Sequence, residues 1–374
     1  MSVASHRHPA IERAALVAVG ALAIFAPIVL AHHSAAPHYD MEKSVTLDAT
    51  ITKFELVNPH SYVYFTTPEP DGKPTLWRCE LASRIALQRS GWTEGVFTPG
   101  AKLTIKGAPA RREDHVCMLT SFVGSDGREV KRDEDFAKGV NPLATLADKN
   151  LSGARPAPLA NGQPNLSGLW LIVPGARGRG DGEGPNRTGY VIGGNGGVEA
   201  TAAGALVTRN YDPIFDNPAL RCAAPNIFFA LGMNSHVNEI TQTRDSVIFK
   251  YGYMDLVRTV HLNTTVHPKN LKPSVAGHSI GTWEGDVLVV DTVGFAPGVL
   301  VPQSGLMHSA GMHAVERFSV DNAKGTLSRT YHAEDPLYLK SPYTGWDELR
   351  LSDEPYTPYH CKELSGANNI RAKK

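Results

Sequence analysis

The sequence predicts a mainly β protein: an N-terminal OB-like small barrel followed by a larger antiparallel, lipocalin-like β-barrel domain. Three observations carry that prediction. Short runs of β-branched and aromatic residues recur along the chain, bounded by turns rich in Gly, Asp and Asn. One short helix stands between the third and fourth strands of the first half, as in an OB barrel. No long amphipathic helix is visible after residue 90. The 374 residues, 42% hydrophobic and 20% charged, suit two globular domains and exclude disorder for most of the chain.

Residues 1–31 read as a signal peptide. Arg7 and Arg13 precede the uncharged run from Ala14 to Leu30, and Val29-Leu30-Ala31 suits signal peptidase. The competing reading is an uncleaved anchor, which Pro27 and the lack of a basic stop-transfer cluster disfavour. Cleavage after Ala31 implies a periplasmic or secreted chain beginning at His32. Membrane contact is expected only through an uncleaved signal segment.

Residues 32–130 read as the OB-like domain. Val45, Leu47, Ala49 and Ile51 alternate with Thr46, Asp48, Thr50 and Thr52, the period of a half-buried strand. Ser61–Phe65 is a second strand. The turn Pro70-Asp71-Gly72-Lys73 returns the chain over Thr75–Glu80. Ser83–Arg89 is a short helix stopped by Gly91, and strands follow at Lys102–Lys106 and Val116–Phe122. Residues 131–165 are polar and Pro-rich and read as a linker.

Residues 166–374 read as the larger barrel. Strands are expected at Ser246–Tyr253, Leu256–Leu262, Ser279–Trp283, Val287–Thr292, Ala314–Val320 and Thr326–His332. Turns at Glu284-Gly285-Asp286 and Asp321–Gly325 join successive hairpins into a meander. The Gly-rich stretch 175–197 reads as a surface loop. No Lys-Ser or Lys-Thr follows its glycines, so it is no P-loop, and it lacks the strand–helix setting of a dinucleotide site.

Lys plus Arg and Asp plus Glu both number 37, so a nucleic-acid partner is not expected. Arg111-Arg112 is offset by Glu113-Asp114. The four cysteines form no CxxC pair. Two lie in each half, which favours Cys79–Cys117 and Cys222–Cys361 among three pairings, against a reading as buried thiols.

Two chemistries are expected from the histidines. A mature N-terminal His32 offers its α-amine and ring nitrogen as a chelate, and a further imidazole would complete a three-nitrogen set suited to copper. His33, His38 and His60 are candidates for that ligand. His60 is the strongest, because Pro59 fixes it where the chain enters a strand. The alternative places a small apolar ligand in the larger barrel, with His278, His308 and His313 lining it and Asp291 or Glu316 beside them for acid–base work. That role requires an interior not filled by side chains. Whether the protein is an enzyme is left open, as is a purely structural role in the envelope.

Gly277-His278-Ser279-Ile280-Gly281 matches a hydrolase nucleophile elbow, but strand-type residues follow where the elbow needs a helix. The opening His32-His33-Ser34, the strand Val45–Phe54, Asn58-Pro59-His60 and Gly91-Trp92 resemble an exported bacterial domain-of-unknown-function family, number 6152, over about residues 30–130. The second half is similar to a separate uncharacterised bacterial group through the run Gly277 to Asp286 and on to Val290-Asp291-Thr292, with Glu316-Arg317-Phe318 and Asp335-Pro336. Neither resemblance implies an activity. The second resemblance implies an Asp-Gly-Arg turn after His261, and Asn263-Thr264-Thr265 stands there instead, which implies a different ligand if that turn shapes a pocket.

Overall fold

The computed structural model describes residues 38–68, 72–132, 157–179, 198–213, 215–233 and 236–362. The signal segment, His32, His33 and most of the expected linker lie outside the described residues.

The first barrel is built from β1 (Val45–Glu55), β2 (Tyr62–Thr67), β3 (Thr75–Glu80), β4 (Lys102–Pro109) and β5 (Val116–Val123). β1 pairs with β2 and β4, and a parallel β3–β5 pairing closes the barrel in OB order. A short β6 (Glu129–Lys131) extends the sheet beyond β5. In β1 the expected alternation holds: Ala49 and Ile51 are buried, while Thr46, Asp48 and Thr52 are exposed. Helix α1 (Arg84–Arg89) is capped by the Ser83 hydroxyl, which accepts from the Ala86 amide. Its Leu87 joins Val63, Phe65, Trp92, Phe97 and Phe122 in the core. Cys79 and Cys117 are register partners across β3–β5 and form a disulfide there.

The second barrel is closed by nine strands, in the order β10-β11-β12-β15-β16-β17-β7-β8-β9. They are β7 (Gly168–Arg179), β8 (Asn238–Gln242), β9 (Ser246–Lys250), β10 (Val257–His261), β11 (His278–Glu284), β12 (Val287–Val293), β15 (His313–Asp321), β16 (Thr326–Glu334) and β17 (Tyr343–Leu351). β13 (Gly298–Val301) and β14 (Leu306–His308) form a separate hairpin. All pairings in the barrel are antiparallel except β10–β11, where the 262–277 connection crosses over and the strands run parallel. The Gly-rich stretch is not loop throughout, since β7 runs on through Arg179 and pairs there with Gly345.

Burial alternates along the strands, so the inward residues can be read off directly. Ala314, Glu316 and Phe318 of β15 face in, as do Leu327, Arg329, Tyr331 and Ala333 of β16. Helix α2 (Ala202–Arg209) lies on the outside, and the five-residue α3 (Ile227–Leu231) is buried along its whole length. Asn226 caps α3 and also donates to the Val299 and Leu300 carbonyls.

The chain after β17 straps the two barrels together. Asn58 Nδ2 donates to the Tyr359 carbonyl, and the Lys362 amide donates to the Asn58 carbonyl at 2.9 Å. Arg89 pairs with Glu354 at 2.8 Å, and Ile85 packs against the large core. The second disulfide, Cys222–Cys361, ties this strap to the segment preceding α3. Two disulfides in the favoured pairing fit an exported protein. Among the described residues, no helix is long and apolar enough to cross a membrane.

Candidate functional site

In the small barrel the chain enters beside β4. Tyr39 forms an isolated antiparallel bridge with Ala110, and the His38 carbonyl accepts from the Arg111 amide. This brings His38 and Tyr39 to the end of β2–β3, where His60, Tyr62 and Glu80 meet. Tyr62 and Glu80 are register partners, and the Asn58–Pro59 peptide just ahead of them is cis.

Glu80 is the hub. Its Oε1 lies 2.8 Å from His60 Nδ1. Its Oε2 accepts from Tyr39 at 2.7 Å and from Tyr62 at 3.4 Å. Loss of hydration pushes Glu80 up, but the His60 charge and the hydrogen bonds from His60 and Tyr39 outweigh it and hold the carboxyl at about 2. His60 is correspondingly raised: dehydration opposes its charge, and Glu80 more than offsets that. His38 is lowered, by dehydration first, and it feels both Glu80 and His60. Both tyrosines are pushed well above their ordinary value by burial and then by the Glu80 charge, so they stay protonated donors.

Of the expected metal ligands, the structure therefore groups His60 with His38. Glu80, Tyr39 and Tyr62 were not anticipated. The one signal for Glu80 lay in the hairpin: folding Ser61–Phe65 against Thr75–Glu80 sets the end of the second strand beside His60. Among the described residues, no three His, Cys, Asp or Glu side chains converge on a point suited to a metal ion.

The second candidate set is divided. His278 and His313 do not face the barrel interior. They stand at outward positions on β11 and β15, because their neighbours Ser279 and Ala314 take the inward ones. His313 Nε2 reaches Asp291 Oδ2 at 2.7 Å, and His267 Nε2 reaches Asp291 Oδ1 at 2.8 Å. His308 is elsewhere, buried at the end of β14 with Nδ1 on the Ser309 carbonyl.

The interior is occupied by a charged network. Arg258 pairs with Glu316 at 2.5 Å, and Arg329 with Glu316 at 3.2 Å. Arg329 also donates to Asp347 and to the Ile227 and Phe228 carbonyls of α3. Phe228 packs on Tyr331 and Tyr343, so the helix is seated against inward aromatic residues of β16 and β17. Ser279 belongs to this network: its Oγ accepts from Arg258 Nε at 2.8 Å and lies 3.0 Å from Thr292 Oγ1. Among the described residues, no histidine is hydrogen-bonded to it. The glycines of the motif have packing reasons, since a Cβ on Gly281 would meet Leu262 at 2.6 Å.

Residues 20–118 match the model of a family of unknown function (DUF6152), which covers the small barrel into β5. No curated protein matches the chain. Among solved structures, a mutant of the fluorescent protein UnaG aligns at 12% identity over 50% of this chain and 97% of its own, with a TM-score of 0.23.

Proposed function

We propose that this is a periplasmic or secreted copper-binding protein whose mature N-terminal His32 chelates the ion, with His60 as the further imidazole. The observation that carries the reading is the 2.8 Å contact between Glu80 and His60 Nδ1. A carboxylate on one ring nitrogen fixes the orientation of a ligating histidine and assigns ligation to the other, here Nε2. His38 lies in the same electrostatic neighbourhood. It is six residues after His32, so an extended chain of about 20 Å at most spans the gap. His33 and His38 are the other nitrogen donors within that span. Amine and imidazole nitrogens in a tetragonal plane favour Cu(II) over other divalent ions of the first row.

Calorimetric titration of Cu(II) into the exported chain tests this reading. His32→Ala and His60→Ala should each remove the tight phase, while His332→Ala leaves it. An unchanged affinity in His32→Ala would sink the proposal.

A further inference from the structure

The outer wall of the large barrel carries a histidine patch far in sequence from His60. Outward positions on the adjacent strands β10, β11, β12, β15 and β16 hold His261, His278, Asp291, His313 and His332. The connection between β10 and β11 crosses this face and adds His267.

His267 is held at both ring nitrogens. Its Nε2 is 2.8 Å from Asp291 Oδ1, and its Nδ1 is 2.8 Å from Nδ1 of His278. An ionised carboxylate only accepts, so His267 donates from Nε2 and presents a lone pair at Nδ1. That tautomer and orientation are what a carboxylate imposes on a metal-ligating histidine. Two imidazole nitrogens so close are bridged either by one proton or by one cation. Metal–nitrogen bonds of about 2.0–2.1 Å in a tetrahedron set the nitrogens about 3.3 Å apart, so a shift of about half an ångström admits the ion. The His267 side chain is 21% exposed, which leaves the pair open to solvent.

We propose that His267 and His278 form a second metal site on the outer wall of the large barrel, for a divalent transition-metal ion that favours imidazole, such as zinc, with Asp291 orienting His267. The His261 ring stacks on His278 at 17° with centroids 5.0 Å apart, so both planes cannot contain one ion. Water completes the coordination. The ion would pin the 262–277 connection to the barrel wall.

The test uses the exported, disulfide-bonded chain carrying His32→Ala and His33→Ala, which removes both imidazoles beside the N-terminal amine. Co(II) is the spectroscopic probe and Zn(II) the competitor. One equivalent of Co(II) should bind and be displaced by Zn(II). His267→Ala and His278→Ala should each abolish it, Asp291→Asn should weaken it about 10- to 100-fold, and His332→Ala should leave it unchanged. On the unsubstituted chain, Zn(II) should protect His267 and His278, but not His332, from diethylpyrocarbonate. That readout decides even if a variant fails to fold. No Co(II) binding, binding indifferent to both alanines, or no protection overturns the site. Because the double substitution already removes the copper chelate, this result stands apart from the fate of the N-terminal reading.

Discussion

Glu80 shows how much one side chain organises. It orients His60, keeps two tyrosines as donors, and ionises well below its ordinary value of 4.5. A depressed carboxyl contributes stability above its unfolded value and loses it as pH falls through the folded one. His60, raised above 6.5, contributes below that value and loses its share as pH rises through the folded one. In the metal-free protein their ion pair therefore contributes fully between pH about 4.5 and 6.5 and fades toward pH about 2. Glu80→Gln should cost about 2 kcal/mol in urea unfolding at pH 6, with the difference from wild type vanishing near pH 2. The same variant should weaken Cu(II) binding about 10- to 100-fold. His60 was legible because Pro59 places it at a strand entry. His278, His313 and Asp291 were legible as chemistry, but on the wrong face, because the side each takes depends on register. His267 was not legible at all: it sits in a connection with no period to read.

At the scale of elements, strands that keep an apolar alternation were readable even with one charged inward residue, as in β15 and β16, and β17 was not. β1, β12 and β15 alternate, and their runs were visible in the sequence. β17 carries Gly345 and Asp347 at inward positions, and no apolar period survives there. Asp347 makes sense only once Arg329 stands opposite it, its register partner on β16. The parallel β10–β11 pairing was also hidden, since the connection has no helix to announce a crossover. Arg329→Met should cost about 3–5 kcal/mol, because it takes the guanidinium from buried Asp347, leaves Glu316 with Arg258 alone and releases two α3 carbonyls. Chemical denaturation would read it. The paired replacement Arg329→Met with Asp347→Leu should recover part of the loss, whereas an equal loss in both would contradict the assignment of that cost to unpaired charge.

At the scale of the whole chain, two barrels are held as one unit by a strap that runs from β17 past Asn58. The cysteine halves were legible from count and position, but the strap was not, because its partners Asn58 and Arg89 lie hundreds of residues away in sequence. Cys222→Ser with Cys361→Ser should cost about 2–5 kcal/mol and loosen residues 352–362 first. Hydrogen exchange at the Lys362 amide, which donates to Asn58, reports that release. If protection there is unchanged, the strap does not depend on the disulfide.

The central claim is that cleavage before His32 creates a copper chelate that His60 completes. The most direct measurement is a Cu(II) EPR titration of the exported, cleaved chain beside the same chain carrying His32→Ala and His33→Ala. The account predicts a tight tetragonal signal with nitrogen hyperfine structure in the first and its loss in the second, since the α-amine then has no imidazole beside it. Equal, weak signals in both would contradict it.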